Sequence, residues 1–160
     1  MKTILLLLSC LLCATGLTKA DPPTEALAAF WKAARSGDFD ATWKRVVKFD
    51  NLPPEFVEDQ KEKVRKVIKL GASGWSVEAL EVKVDGDCAV IVGNEVKGEK
   101  SEVPNLDPVY LLKQDGEWKV FAKLTKFDLA EAGGKEKLEV FGKLKKWYEE
   151  REQVIRREKR

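Results

Sequence analysis

A short hairpin segment constrains the fold of this chain more than any other feature. Two alternating runs, Tyr110–Lys113 and Trp118–Leu124, flank the dipeptide Asp115-Gly116. An Asp-Gly pair between two such runs is a strong short-range signal for a β-hairpin with a two-residue turn. An antiparallel sheet is therefore predicted as part of the fold.

Three helical patterns precede this sheet. The first covers residues 23–36, where apolar side chains recur at the i, i+3, i+4, i+7 spacing of an amphipathic helix. The second follows Asp38, a good N-cap, and carries apolar residues as far as Val47. The third begins at Pro54 and ends at Gly71. Helices followed by hairpins predict an α+β fold rather than a sandwich.

The apolar period changes from 3.6 to 2 after the third helix. Residues 75–79 and 80–84 alternate in opposite phases, which predicts a strand with a β-bulge. Asp85-Gly86 then predicts a turn into Cys88–Val92, which is apolar on both faces and so reads as a central strand. The polar residues 93–105 are predicted to form a loop with some extended character.

The first twenty residues have the pattern of a Sec-type signal peptide. Lys2 precedes the apolar run Ile4–Leu12, and Thr18 and Ala20 offer small side chains for cleavage after Ala20. We therefore expect export, to the periplasm or outside the cell. A second interpretation is a lipoprotein, because Leu-Leu-Ser precedes Cys10, but the apolar stretch before Cys10 is short for a signal core.

The composition of the remaining chain excludes some classes of function. Without residues 1–20 it has 27 basic and 27 acidic residues, so it lacks the basic excess of a general nucleic-acid-binding protein. One cysteine remains, Cys88, which cannot form an internal disulfide and is predicted to be a buried thiol. No cofactor motif and no metal-ligand cluster is found, and the chain has no histidine.

The hairpin sequence Asp115-Gly116-Glu117-Trp118-Lys119-Val120 and the phrase Phe30-Trp31-x3-Arg35-Ser36-Gly37-Asp38-Phe39 resemble the nuclear transport factor 2-like, or cystatin-like, superfamily. The resemblance covers about residues 24–127 and is closest to the small extracytoplasmic branch. It implies a curved antiparallel sheet folded around three helices, with a conical pocket open at one end. The superfamily contains isomerases, dehydratases and domains without known activity, so the resemblance implies a fold rather than a function.

The acids near the predicted strands are weak candidates for catalysis. Isomerases and dehydratases of the superfamily commonly use His, Asp and Tyr side chains that point into the cone. Here acid–base chemistry would fall on carboxylates. Alternation places Glu78 and Glu81 opposite their apolar neighbours, and Asp107 precedes a proline and is predicted to start a turn. An enzyme is therefore the less favoured interpretation.

Four aromatic residues are the candidates for a ligand pocket: Trp31, Trp43, Tyr110 and Trp118. In one interpretation they form a stacking wall for a small apolar ligand inside the cone. In the other, which their spacing favours, they fill the cone and close the contact between helices and sheet.

A long C-terminal helix is predicted over residues 133–160. Val140, Trp147 and Val154 recur every seven residues, as in a helix that packs along another helix. We expect its distal half to project from the domain. Residues 135–160 have ten basic and six acidic residues. Three roles stay open, namely a cover over the cone, a homo-oligomer contact, and docking on an anionic surface. Removal of residues 149–160 is expected to leave the domain folded.

The sequence thus predicts a signal peptide over residues 1–20, a nuclear transport factor 2-like domain over residues 21–132, and a charged amphipathic helix over residues 133–160. The favoured function is a non-enzymatic binding or assembly module for an unidentified ligand. The alternatives are a small-molecule enzyme that uses a pocket carboxylate, and a membrane-anchored lipoprotein with the same domain.

Overall fold

The computed structural model describes residues 22–49, 52–98, 104–122 and 134–158. The predicted signal peptide and Cys10 lie outside these ranges, so export and lipidation stay predictions. Across the described ranges, every helix is too short or too polar to cross a lipid bilayer.

Three helices lead the chain, and their bounds are α1 Pro23–Arg35, α2 Phe39–Trp43 and α3 Pro54–Ala72. Asp38 caps α2 as predicted, because its carboxylate accepts a hydrogen bond of 2.9 Å from the Ala41 N–H. The prediction that α2 reaches Val47 is wrong. The chain leaves the helix earlier because the Val47 N–H bonds to the carbonyl of Val120 at 3.0 Å, and Val46 forms a parallel bridge with Val120.

Four antiparallel strands follow in the order β1-β2-β3-β4, with bounds β1 Trp75–Asp85, β2 Cys88–Lys97, β3 Asn105–Gln114 and β4 Glu117–Val120. They form a curled half-barrel, which confirms the predicted α+β class. The predicted bulge in β1 is present between Ala79 and Glu81. Both predicted hairpins are confirmed by the pairs Asp85 with Cys88 and Gln114 with Glu117.

Two strand boundaries differ from the prediction. The predicted loop over residues 93–105 is partly strand, because β1 pairs with β2 along its whole length, as far as Trp75 with Lys97. The fourth strand ends at Val120, although the prediction carried it to Leu124. Residues 123 and 124 lie outside the described ranges.

The sheet is covered on both faces, which explains why Cys88–Val92 is buried along its whole length. Side chains of a strand alternate between the two faces. Ala89 and Ile91 join the helix-side core with α1 and α3, and Cys88, Val90 and Val92 join the opposite core. The second core has its own cover, the helix α4, Gly134–Glu158.

The helix α4 lies along the sheet and does not project. Its apolar stripe enters the core beside Cys88 and Val90, through the buried side chains Phe141, Leu144, Tyr148 and Ile155. Arg151 adds two charge-assisted hydrogen bonds to Glu81 of β1, at 2.6 and 2.7 Å. The prediction of a projecting distal half is therefore wrong, because the sheet offers an apolar face as long as the stripe.

Because the end of α4 belongs to the core, we now expect removal of residues 149–160 to destabilise the domain rather than to leave it folded. Replacement of Ile155, which is 6% exposed, by Ala should lower the free energy of unfolding by about 2–5 kcal/mol, since it leaves a cavity in the core. Replacement of the exposed Gln153 by Ala should change it by less than about 0.5 kcal/mol. Chemical denaturation of both variants tests this, and equal midpoints would show that the end of α4 does not belong to the core.

The turn between β3 and β4 has positive φ angles at both central residues, 52° at Asp115 and 80° at Gly116. These angles are typical of a type I′ turn. A Cβ atom at Gly116 would meet nothing within 4 Å, so any cost of a side chain there comes from the backbone angle alone.

A matched pair of variants isolates this angle. Replacement of Gly116 by Ala should destabilise the protein by about 1 kcal/mol. Replacement of Gly142 by Ala, on α4 and equally free of neighbouring atoms, should stabilise it by about 0.5–1 kcal/mol because the helix favours alanine. Thermal melts measure both, and a melting temperature that rises in both variants would argue against a strained turn.

Candidate functional site

The main cavity has a volume of about 470 Å³ and lies between α1, α3 and the sheet. Its wall is largely apolar. Among the lining side chains are Leu27, Phe30, Trp31, Val77, Val109 and Phe121. The cavity exists because α1 and α3 cover the curled sheet only partly. Their mutual contact is close where Gly71 meets the backbone of Ala34, with 3.0 Å between a Cβ placed at Gly71 and the Ala34 carbonyl carbon.

Two carboxylates, Glu95 and Asp107, interrupt this apolar wall. Glu95 pairs with Asn105 and Asp107 pairs with Gly93, so the two acids are diagonal neighbours on the helix-facing side of adjacent strands. Gly93 stands between them because a side chain there has no room. A Cβ atom would collide with Val77 and with the carbonyl oxygen of Asp107.

Partial burial controls the protonation of this carboxylate pair. Burial raises the pKa of Glu95, and the negative charge of Asp107 raises it further, while a hydrogen bond from the Asn105 amide acts in the opposite direction. Burial also raises the pKa of Asp107. Asp107 is an exposed residue by its total surface, and its carboxyl group is only partly buried. Both groups therefore hold a proton more readily than an acid in water does.

An acid pair of this kind has two chemical uses. Ionised, it attracts a cation or a hydrogen-bond donor into an otherwise apolar cavity. Protonated on one member, it has the acid and the base that a proton transfer needs. Tyr110 pairs with Val90, so its ring lies in the core on the α4 side, where burial raises its pKa to about 12.

The structure separates the four predicted pocket residues. Trp31 and Tyr110 line the cavity, but the Tyr110 ring packs against Phe141 on the α4 side, with 5.9 Å between centroids. Trp118 lines a smaller cleft of about 190 Å³ beside α2. Trp43 lies outside the cavity wall, stacked on Phe39 at 6.2 Å with an angle of 11° between the ring planes. The four rings therefore do not form one stacking wall.

The acids also fall into different positions. Asp107 lies inside β3, so the prediction that it starts a turn is wrong, because β3 begins two residues earlier. Glu81 is held by Arg151 on the other face of the sheet, and Glu78 lies in β1 opposite Asn94. The sequence analysis missed Glu95, which it assigned to a loop. Equal strand lengths on the two sides of Asp85-Gly86 would have indicated that β2 extends past this residue.

Other reactive groups contribute little to this site. Cys88 is buried in the core under α4, and burial raises the pKa of its thiol, which confirms the predicted buried thiol. Within the described ranges, no group of three or more His, Cys, Asp or Glu side chains is placed to hold a metal ion.

Replacement of Asp107 by Asn should stabilise the protein in a pH-dependent way. The folded state keeps the Asp107 proton to a higher pH than the unfolded state, so wild-type stability falls as pH rises from about 3.8 through the raised pKa. Asn has no such proton. The stability gain of Asp107→Asn should thus be small at pH 3 and larger at pH 7, as measured by thermal melts across this range.

Glu81→Gln is the control, because its effect on stability at pH 7 should be opposite to that of Asp107→Asn. A hydrogen bond from Arg151 lowers the pKa of Glu81, so its stabilising contribution is present above pH 4.5 and disappears as pH falls through the lowered pKa. This variant should be less stable than the wild type at pH 7 and should approach it at low pH. If the two variants change in the same direction at pH 7, the assigned burial of Asp107 is wrong.

Comparison with known proteins finds likeness at the level of fold. No family model matches the chain, and no curated protein matches its sequence. Among solved structures, the chain is similar to a candidate nuclear transport factor 2-like transpeptidase from Campylobacter jejuni. The sequence identity is 22%, the TM-score is 0.49, and the match covers 62% of this chain and 97% of that one. The α+β architecture described above, with helices before a curled four-stranded antiparallel sheet and a long helix after it, is the one that the sequence predicted.

Proposed function

We propose that this domain binds a small molecule with an apolar body and a cationic or hydrogen-bond-donating group. The observation that carries the proposal is the pair Glu95 and Asp107 in the wall of an apolar cavity. Ligand pockets have volumes of roughly 300–1,000 Å³, are mostly apolar and contain a few convergent polar groups. A cavity of about 470 Å³ falls within that range.

The charge of the cavity selects among ligands. A cation placed beside Glu95 and Asp107 offsets both the loss of hydration and the mutual repulsion that raise the pKa of Glu95. An anion has the opposite effect, because it adds a third negative charge to a partly buried group. We therefore expect a preference for cationic over neutral ligands, and rejection of anions of the same shape.

A small-molecule enzyme is the second candidate function. It is favoured by the raised pKa of Glu95 and of Asp107, since such shifts are frequent at catalytic acids and bases. In that case one carboxylate removes a proton from a bound carbon acid. The binding module remains our first proposal, because a raised pKa also follows from burial in a binding site alone.

Three probes of similar size test the preferred ligand class. Isothermal titration with 2-phenylethylamine, 2-phenylethanol and phenylacetate should give binding in that order of decreasing affinity. Asp107→Asn should lower the affinity for the amine by about tenfold, as expected for loss of a charged hydrogen bond, and should leave the alcohol almost unchanged. Val109→Trp should weaken both, because the larger ring fills the cavity.

The control is Glu136→Gln, which removes one negative charge from the first turn of α4, away from the cavity. It should bind the amine as the wild type does. Equal affinities for all three probes, or equal losses in both charge variants, would contradict the proposal. Deuterium exchange from solvent into a small cyclic enone, lost in Glu95→Gln, would instead support the enzyme.

A further inference from the structure

We propose that β1 is an interface strand, which pairs antiparallel with β1 of a second copy of this chain about a two-fold axis at Val82. The inference concerns a different surface from the cavity and does not depend on the proposed ligand. It rests on three features of β1, namely an edge without a backbone partner, exposed apolar side chains, and a self-complementary order of charges.

Within the described residues, one edge strand of the sheet has a backbone partner on its outer side and the other does not. The outer edge of β4 is covered by residues 45–47, because the Val120 N–H donates to the Arg45 carbonyl at 2.8 Å and the Val120 carbonyl accepts from the Val47 N–H at 3.0 Å. The outer edge of β1 has no such cover among the described residues. The bulge between Ala79 and Glu81 interrupts the eleven residues of β1, but the stretch from Glu81 to Asp85 is regular, and free edges are what proteins usually cover or blunt.

Exposed apolar side chains follow this open edge. Leu80, Val82 and Val84 are 38%, 39% and 44% exposed. Val82 pairs with Ile91 and Val84 with Ala89, which places them on the helix-facing side of the sheet, beyond the cover that α1 and α3 provide. Alternate residues of a regular strand share a face, so Val82 and Val84 form an apolar pair at the edge, and the exposed Leu80, the bulge residue of β1, directly precedes this stretch in the chain.

The charges of β1 match in the register centred on Val82; an axis at Val84 would also set Lys83 opposite Asp85, but it would set Val82 opposite Gly86 of the turn. A two-fold axis perpendicular to a sheet must pass through a residue pair, because the paired side chains have to share a face. With the axis at Val82, Val82 lies opposite itself, and Glu81 lies opposite Lys83 of the other copy, twice. Opposite charges in directly opposed positions stabilise a strand pair.

The neighbouring registers place like charges together. An axis at Glu81 sets Glu81 opposite itself. An axis at Lys83 sets Lys83 opposite itself and Glu81 opposite Asp85. Like charges directly across an antiparallel pair are destabilising, so both registers are disfavoured. Lys83 has no ion-pair partner within the described part of the chain, and the bond of Glu81 to Arg151 holds that carboxylate in a fixed position for it.

Light scattering on the purified full chain is the first test. The wild type should dissociate from dimer to monomer on dilution. Lys83→Glu should raise the dissociation constant by at least about tenfold, because two attractive pairs become two repulsive ones. Lys66→Glu, the same charge change on the exposed face of α3, should leave it unchanged.

Disulfide trapping tests the register even if Lys83→Glu proves unstable. In a full-length background with Cys10→Ser and Cys13→Ser, the remaining Cys88 is 2% exposed. Under oxidation Val82→Cys should form a covalent dimer, because residues opposite each other lie within the span of a disulfide. Val84→Cys should not, since its two copies are four residues out of register.

A wild type that is monomeric at every concentration would overturn the proposal, and would mean that another segment of the same chain covers the edge. A dimer that persists in Lys83→Glu and does not trap Val82→Cys would also overturn it, because the interface would then lie elsewhere.

Discussion

The double-sided burial of β2 is the constraint on which the rest of the structure depends. Five consecutive residues, Cys88–Val92, are almost completely removed from water. A strand of this kind needs an apolar layer on each face. The three N-terminal helices supply only one of these two layers. The long amphipathic helix α4 supplies the other, and the stripe Phe141, Leu144, Tyr148 and Ile155 is used for that purpose. The same contact occupies the surface that a helix–helix dimer would have needed.

The cavity follows from the same arrangement. The sheet curls, and α1 and α3, which meet closely at Gly71, leave a cavity of about 470 Å³ between themselves and the sheet. Space left between such layers is ordinarily apolar and filled. Here two acids occupy it, which costs hydration energy, and Gly93 leaves room between Val77 and Asp107. The two acids lie beside the cavity although their partial burial is energetically unfavourable, and this is the physical reason for assigning the site to this place.

Local signals predicted most of the fold. The turns at Asp85-Gly86 and Asp115-Gly116, the bulge in β1 and the cap at Asp38 all depend on residues that are neighbours in sequence. The errors share a different cause. The short α2 and the strand position of Glu95 depend on distant partners: Val77 lies 18 residues from Glu95, and Val120 lies 74 residues from Val46. Strand pairing at this range overrides local preference. Glu95 and Asp107 could therefore be recognised as neighbours only from the pairing of β2 with β3.

The position of α4 after the sheet in the chain has a consequence for the order of folding. A ribosome delivers the sheet and its first helical layer before α4 is synthesised. Until Phe141 and Ile155 have emerged, the face that carries Cys88, Val90 and Val92 lacks the cover that α4 gives it. The nascent domain therefore completes its core only after α4 has been translated, and a chain cut short before α4 exposes an apolar face of the sheet to the factors that bind unfinished proteins.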